Sequence, residues 1–313
     1  MRAADVARAL TGTPTDSLPA DPGPPWRTVA EIGARPDYAN GLPTITTGFA
    51  SLDHILQGGF RKESTYALAG RTGTSKSTLA MNVARKVALS GHTVLIFKLE
   101  ESAREAVYRM HAAAAQVSLD LLLGGPRRLN PQTHEKLTDG WSLISKLPVR
   151  ISDQRDLDAM SRISAEHVKQ DGGLIIVDQL SMVEVRGTEF GYERATTISN
   201  HLRILARDLQ VPILIVAQVN REAAKKKNER LGVNDLRDSG AIENDASAVI
   251  LIDRVRKPDG PEYSGAELVR YLQIVVPKNR YGPIVEEVPI ELFWWPQTCR
   301  IEEIVRCDPE VPT

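Results

Sequence analysis

Cysteine is nearly missing: Cys299 and Cys307 are the only two among 313 residues, and they stand eight apart near the end of the chain. No second pair and no histidine cluster accompanies them, which argues against a structural zinc site. So few thiols also fit a reduced setting better than a disulfide-built scaffold. Long apolar runs are missing as well; none approaches the ~18 residues that a membrane-spanning helix needs. The first residues include Arg2 and Arg8 but also Asp5, and no uninterrupted apolar segment follows, so no secretory leader is expected. Nor is there a charge excess: 39 Lys and Arg against 40 Asp and Glu leave −1. No global field therefore draws a polyanion, and any nucleic-acid contact must come from a local patch. What is left, 42% hydrophobic and 25% charged residues, is the composition of an ordinary globular domain able to bury a sizeable core. A cytoplasmic location without membrane contact is expected.

Residues 1–43 hold 7 of the 19 prolines, including Pro22, Pro24 and Pro25, and show little hydrophobic periodicity. They read as a Pro-rich flexible arm, either a disordered tail or a segment that docks on a neighbouring subunit. One short helix is expected over 28–35, ended by Pro36. From Thr44 onward, short apolar runs alternate with amphipathic stretches. Strands are expected over 65–69, 93–99, 174–177 and 212–217, and a helix over 192–209 with Ile198, Leu202, Leu205 and Leu209 on one face. Continuous apolar strands separated by helices imply an α/β fold whose mostly parallel sheet is flanked by helices. After residue 247 the runs become strand-like with turn signals, Asp259-Gly260 and Tyr281-Gly282-Pro283, and imply antiparallel strands at one edge. The expected organisation is the arm over 1–43, one α/β domain over 44–305 and a tail over 306–313.

The run at 65–69 leads into Gly70-Arg71-Thr72-Gly73-Thr74-Ser75-Lys76-Ser77-Thr78, and an amphipathic helix with Leu79, Val83 and Val87 follows. Strand, glycine-bearing turn, Lys-Ser and helix are the context of a phosphate-cradling loop. In such a loop the backbone N–H groups and the helix N-terminus wrap the phosphates of ATP. Lys76 reaches the β- and γ-oxygens, and the Ser77 hydroxyl ligates Mg²⁺. The pattern G-x-x-x-x-G-K-[ST] asks for glycine before the lysine, and this chain has Ser75. A side chain there crowds the phosphate or strains a turn that glycine takes at no steric cost. A loop that no longer turns over nucleotide is the alternative; it conflicts with the other motifs, which a decayed site would lose as well.

The run at 93–99 ends in Lys98-Leu99-Glu100-Glu101. A carboxylate at the carboxyl end of a strand beside the loop stands in the crevice where α/β folds bind ligands. Glu100 is placed to orient and deprotonate an attacking water, whereas Glu101 reads as an ordinary acid at a helix N-terminus. The run at 174–177 ends in Asp178, which would hold the hydration shell of Mg²⁺. The run at 212–217 ends in Gln218, an amide that either contacts the γ-phosphate and reports its loss or simply caps a strand.

Further on, Lys278 and Arg280 alternate on one face at the tip of an expected β-hairpin. Cations fixed in this way serve as a finger toward a neighbour's ATP, worth roughly 10³–10⁵ in rate, or form a solvated basic face. Arg221, Lys225, Lys226, Lys227 and Arg230 cluster after Gln218, with Glu222 and Glu229 among them. The cluster is locally positive and poor in aromatics. Contacts with single-stranded DNA there would be electrostatic and independent of sequence; a solvated charge run is the alternative.

Taken together these residues resemble a known family. Thr47-Gly48, Leu52-Asp53 and Gly58-Gly59-Phe60 look like the entry segment of the RecA/KaiC superfamily. Leu99-Glu100, Asp178 and Gln218-Val219-Asn220-Arg221 narrow the resemblance. So do D-L-R-[DE]-S-G-x-I-E-x-D-A, matched from Asp235 to Ala246, and K-x-R-x-G-P, matched from Lys278 to Pro283. The set is similar to the C-terminal motor domain of DnaB-type replicative helicases over about 44–305. The resemblance implies a RecA-like P-loop NTPase core and a homo-oligomeric ring, a hexamer. The ring would hydrolyse ATP at subunit interfaces to translocate on single-stranded DNA and unwind duplex, with a primase or a helicase loader as partner. It implies that Lys76 and Ser77 bind phosphate and Mg²⁺, that Glu100 is the catalytic base, and that Asp178 serves the metal. Gln218 would couple ATP state to the DNA loops, Arg237, Asp238 and Gly240 would lie in the loop tracking DNA, and Lys278 and Arg280 would act in trans. Two features depart from the family pattern: Ser75, and a Pro-rich arm where full-length replicative helicases carry a helical collar. A RecA- or KaiC-like filament, clock or regulatory ATPase is the competing reading, against which the Lys278–Arg280 hairpin and the Arg237 loop argue. A non-hydrolysing helicase-related scaffold is a third.

Overall fold

A computed structural model describes residues 28–34, 43–124, 129–188, 191–219, 231–232, 240–255 and 270–304. The chain divides into two units, Met1–Leu42 and Pro43–Thr313. In the first, helix α1 (Val29–Gly33) is shorter than the expected 28–35. Thr28 and Glu31 start it reciprocally: Glu31 N donates to Thr28 Oγ1 at 3.2 Å, and Thr28 N donates to Glu31 Oε2 at 2.6 Å.

In the second unit, β1 (Thr44–Ile45) and β2 (Phe60–Arg61) pair as a small antiparallel ribbon. Between them lies α2 (Ala50–Ile55), whose Asp53 accepts from Thr47 N at 2.6 Å and from Thr46 Oγ1. At Gly59 φ is 108°, and a Cβ there would stand 2.3 Å from the Ile45 carbonyl oxygen. The entry segment is therefore a clasp that only glycine closes.

The main sheet contains β3 (Thr65–Gly70), β4 (Thr93–Lys98), β5 (Val149–Ser152), β6 (Gly172–Asp178) and β7 (Ile213–Gln218). It continues with β8 (Ala248–Val255), β9 (Arg270–Asn279), β10 (Val285–Trp295) and β11 (Arg300–Glu303). Their order across the sheet is β5-β4-β6-β7-β3-β8-β9-β10-β11. From β5 to β8 every pairing is parallel; from β8 to β11 every pairing is antiparallel. One expectation is corrected here: the strand directly after residue 247, β8, joins β3 in parallel, and the antiparallel extension begins with β9.

Alternate residues of the parallel strands enter two separate cores. Leu68, Ile96, Ile176, Leu214 and Ile250 face one layer with α3 (Lys76–Leu89) and α4 (Ala103–Ala115). Ala67, Ala69, Leu95, Phe97, Val177 and Ile215 face the other, with α7 (Leu157–Lys169), α8 (Tyr192–Leu209) and α9 (Gly240–Asp245). Helices α5 (Leu119–Leu123) and α6 (Pro131–Ile144) complete the α set among the described residues. Both faces of the sheet are thus covered, which is why its strands read as unbroken apolar runs. On α8 the expected stripe holds: Ile198 and Leu202 are buried, and Leu205 and Leu209 pack against the same core. Among the described residues no helix is long and apolar enough to cross a membrane.

Candidate active site

Register alone brings the candidate residues to one end of the sheet. Gly70, the last residue of β3, lies opposite Gln218 on one side and Ile252 on the other, while Lys98 lies opposite Asp178. The carboxyl ends of β3, β7, β6 and β4 therefore lie along one edge of the sheet, with Asp178 opposite Val216, two residues before the end of β7; this edge is the place where open α/β sheets bind ligands. Gly70 is required there, because a Cβ would stand 2.3 Å from the Ile252 carbonyl oxygen.

The loop from Gly70 to α3 is held from within. Thr74 Oγ1 donates to Arg71 O at 2.7 Å, and Lys76 Nζ donates to the same carbonyl at 2.8 Å. The Arg71 guanidinium pairs with Asp253, just beyond Ile252 on β8. Ser75 is the N-cap of α3 with φ 70° and ψ 27°, and its side chain makes no capping bond. This is the left-handed conformation, which costs an L-residue other than glycine roughly 1–2 kcal/mol. Thr72 and Gly73 are exposed at the loop's outer edge.

Three charges meet at Lys76. Burial pushes its ammonium down to about 8, and the carboxylates of Asp178 and Glu100 partly oppose that shift. Glu100 itself is exposed, immediately after buried Leu99. Ser77 Oγ donates to Asp178 Oδ1 at 3.0 Å, and Asp178 is fully buried. Lys98 Nζ approaches the second oxygen of Asp178 at 2.5 Å and Glu101 Oε2 at 3.1 Å. The latter contact is an ion pair without the alignment of a hydrogen bond. Gln218 Nε2 donates at 3.1 Å to Oε1 of Gln179, the residue after Asp178.

This donor set fits the magnesium complex of a nucleoside triphosphate. A hydroxyl and a carboxylate, both hard oxygen ligands, already touch, and Mg²⁺ typically takes one or two carboxylates plus phosphate oxygens rather than an all-protein cage. A helix N-terminus without a side-chain cap and a buried lysine supply the positive partners for phosphate.

Gly70, Arg71, Thr72, Gly73, Thr74, Ser75, Lys76, Ser77, Glu100, Asp178 and Gln218 are thus gathered at one place. Thr78 lies in the first turn of α3, is buried, and also borders a small cleft with Asn82, Arg109 and Cys299. Glu101 departs from its reading as a helix N-terminal acid. Helix α4 starts after Ser102, which accepts from Glu105 N, and Glu101 pairs instead with Lys98 and with Arg109 Nη2 at 2.7 Å.

Lys278 and Arg280 lie elsewhere. Asn279 is opposite Ala248, which is opposite Tyr66, four residues and about 13 Å along β3 from Gly70. Neither side chain reaches the phosphate loop of its own chain. Both donate to main-chain carbonyls at the end of α9, Lys278 to Glu243 and Asn244 and Arg280 to Asn244. Burial, then the neighbouring Arg280, pushes Lys278 below the usual lysine range. The hairpin tip is fixed against α2, since Asn279 Nδ2 donates to Ile55 O at 2.9 Å and a Cβ on Gly282 would stand 2.4 Å from that oxygen. Asn220, Arg221, Lys225, Lys226, Lys227, Arg230, Arg237 and Asp238 lie outside the described residues; Gly240 is the first residue of α9. In the same motif Asp245 is structural, accepting from Arg203 Nε and from Ser199 Oγ of α8, each at 2.9 Å.

Residues 44–303 match the family described as DnaB-like helicase C terminal domain. The replicative DNA helicase DnaB of Geobacillus stearothermophilus is 31% identical over 246 residues, 77% of this chain and 53% of that protein. The replicative DNA helicase DnaC of Bacillus subtilis (strain 168) is 30% identical over 246 residues, again 77% of this chain and 53% of that protein. This chain spans about half the length of these relatives. Among solved structures, an ATPase domain superposes with a TM-score of 0.75 at 20% identity, covering 88% of this chain and 95% of that one. A DnaB-like replicative helicase whose interactions with primase have been described superposes with a TM-score of 0.74 at 19% identity, covering 88% and 65%.

Proposed function

Because the chain belongs to the DnaB-like helicase C-terminal domain family, we propose that it is the ATP-driven motor of a DNA helicase, hydrolysing ATP between subunits to move along single-stranded DNA. The observation that carries this reading is the convergence of Lys76, Ser77, Glu100, Asp178 and Gln218 along the edge formed by the carboxyl ends of four parallel strands. Lys76 would leave the Arg71 carbonyl for phosphate oxygens, and the loop N–H groups would hold the rest of the triphosphate. Ser77 and Asp178 would hold Mg²⁺, which supplies charge neutralisation across the transferring phosphate. Glu100, exposed and close enough to act on Lys76, would orient a water and take its proton. Gln218, joined to β3 at Gly70 and to Gln179 beside Asp178, would carry the state of the site into the segment that follows it.

The placement of Lys278 and Arg280 is compatible with a shared site, since cations that rest on the α9 carbonyls and do not reach their own loop could meet a triphosphate only on another subunit. A homo-oligomeric ring, with six subunits by family analogy, would bring each pair to a neighbour's phosphates. Arg221, Lys225, Lys226, Lys227, Arg237, Asp238 and Gly240 are the proposed DNA contacts. A primase or a loader is the proposed protein partner, in a cytoplasmic setting. The arm at 1–43 is proposed as a separate element from the motor at 44–305.

ATP turnover measured with and without single-stranded DNA, beside Lys76→Ala, tests the reading. DNA-stimulated turnover abolished by Lys76→Ala supports it. Nucleotide binding without turnover would replace it with a non-hydrolysing scaffold, and turnover without strand displacement on a forked duplex would leave a regulatory ATPase.

A further inference from the structure

The strand that leads to Glu100 ends in a lysine that the site as described leaves without a task. Lys98 is 1% exposed, and charged side chains of this kind are almost never fully buried unless paired. Its ammonium lies between two carboxylates, 2.5 Å from Asp178 Oδ2 and 3.1 Å from Glu101 Oε2. Asp178 thereby has a different partner on each oxygen, with Ser77 Oγ on Oδ1 at 3.0 Å. The main chain is braced at the same level, where Leu99 N donates to Asp178 O at 2.7 Å. Beyond Glu101, Arg109 of α4 closes the row at 2.7 Å. Two acids and two bases alternate, Asp178, Lys98, Glu101 and Arg109, and their charges cancel.

We propose that Lys98 is a positioning residue for the divalent cation. Its ammonium locks the Asp178 carboxylate so that Oδ1 stays beside Ser77, and it ties that carboxylate to the turn bearing Glu100. The inference rests on reading Ser77 and Asp178 as the metal site. Contact through Oδ2 is the decisive detail, because the oxygen facing Ser77 remains available for the cation's shell. Without the ammonium, buried Asp178 and partly exposed Glu101 would be like charges within about 6 Å of each other, and the Glu101 side chain would turn toward solvent. Outer groups that orient a metal-binding carboxylate are worth roughly 10–100-fold in metal affinity.

The test is Mn²⁺ binding to the full chain, read from loss of the free-ion electron paramagnetic resonance signal in the presence of a non-hydrolysable ATP analogue. Lys98→Met keeps the length of the side chain and removes its charge. The expected result is Mn²⁺ affinity weakened about tenfold, with nucleotide affinity in chelator unchanged. Unchanged or tighter Mn²⁺ binding would overturn the proposal, because an ammonium that merely competes with the cation gives that result. Lys98→Arg is the second variant: it keeps the charge but displaces the point of contact. Weakened Mn²⁺ binding by Lys98→Arg supports positioning, and wild-type affinity overturns it, even if Lys98→Met does not fold. If the wild-type chain binds the analogue but no Mn²⁺, the site reading itself fails, and this inference with it.

Discussion

Replacing Ser75 by glycine should stabilise the protein, an unusual expectation for a mutation to glycine at the start of a helix. Ser75 sits at φ 70° and ψ 27°, and the left-handed region costs roughly 1–2 kcal/mol for a residue with a Cβ. Glycine removes that cost but enlarges the freedom of the unfolded chain, which gives back about 0.4–1 kcal/mol. No capping bond is lost, because the Ser75 hydroxyl makes none. The net gain is about 0.5–1 kcal/mol, which for a domain of this size raises Tm by roughly 2 °C. Urea unfolding followed by circular dichroism measures it as a higher midpoint at constant slope. Two companions sharpen the test. Ser75→Asn should be near neutral, since asparagine tolerates the left-handed region, whereas Ser75→Thr should lose about 1 kcal/mol or more, since a β-branched residue does not. A midpoint for Ser75→Gly at or below wild type, or a tolerated threonine, would refute the strain argument.

The remaining expectations concern protons and neighbours. In the proposed site Lys76 would bind phosphate as an ammonium, and burial brings it down to about 8. Nucleotide affinity, measured by equilibrium titration, should therefore hold below that pH and fall toward tenfold per pH unit above it, with proton uptake on binding. His167 is pushed from 6.5 to about 4 by burial and by Arg150. Above pH 6.5 it is neutral in both states and its contribution is intact. As pH falls from 6.5 to 4, the unfolded chain binds the proton first, so stability should drop by about 3 kcal/mol. Acid titration of the unfolding free energy should show this, and His167→Gln should flatten the slope. Arg280→Ala subunits mixed with wild type should lower the rate per active subunit; an undiminished rate would remove the trans role.

Much of the fold was legible because hydrophobicity speaks directly about burial. Strands covered on both faces, such as β3, β4, β6 and β7, left unbroken apolar runs, and α8 left a 3.6-residue stripe. Direction and edges were not legible in the same way. The run of β8 has the composition of its neighbours, and only pairing decides that it lies parallel to β3. Strand β5 is four residues long and only partly buried, so it carries no pattern to find. In the candidate site, the loop from Gly70 to Ser75 is local in sequence, so its place between β3 and α3 was readable, and so was the anomaly at Ser75. The pairing of Lys98 with Asp178 joins residues 80 apart and depends on register. One signal did exist: a lysine ending an apolar strand has to find a counter-charge, and the strand carrying Asp178 was the nearest source. For Glu101 the sequence was misleading, because an acid just before a helix resembles a dipole partner wherever its side chain turns.

The resting place of the hairpin cations has a consequence for assembly. Lys278 and Arg280 are engaged with the last carbonyls of α9, the negative end of a helix that forms the second half of the motif from Asp235 to Ala246. If they serve a neighbour's triphosphate, docking is an exchange rather than an addition, because each cation must release a carbonyl to take a phosphate oxygen. An isolated subunit then keeps its fingers latched, and the latch is part of the helix that continues the proposed DNA-tracking segment. Movement of that segment would loosen or tighten the latch through a rod only six residues long.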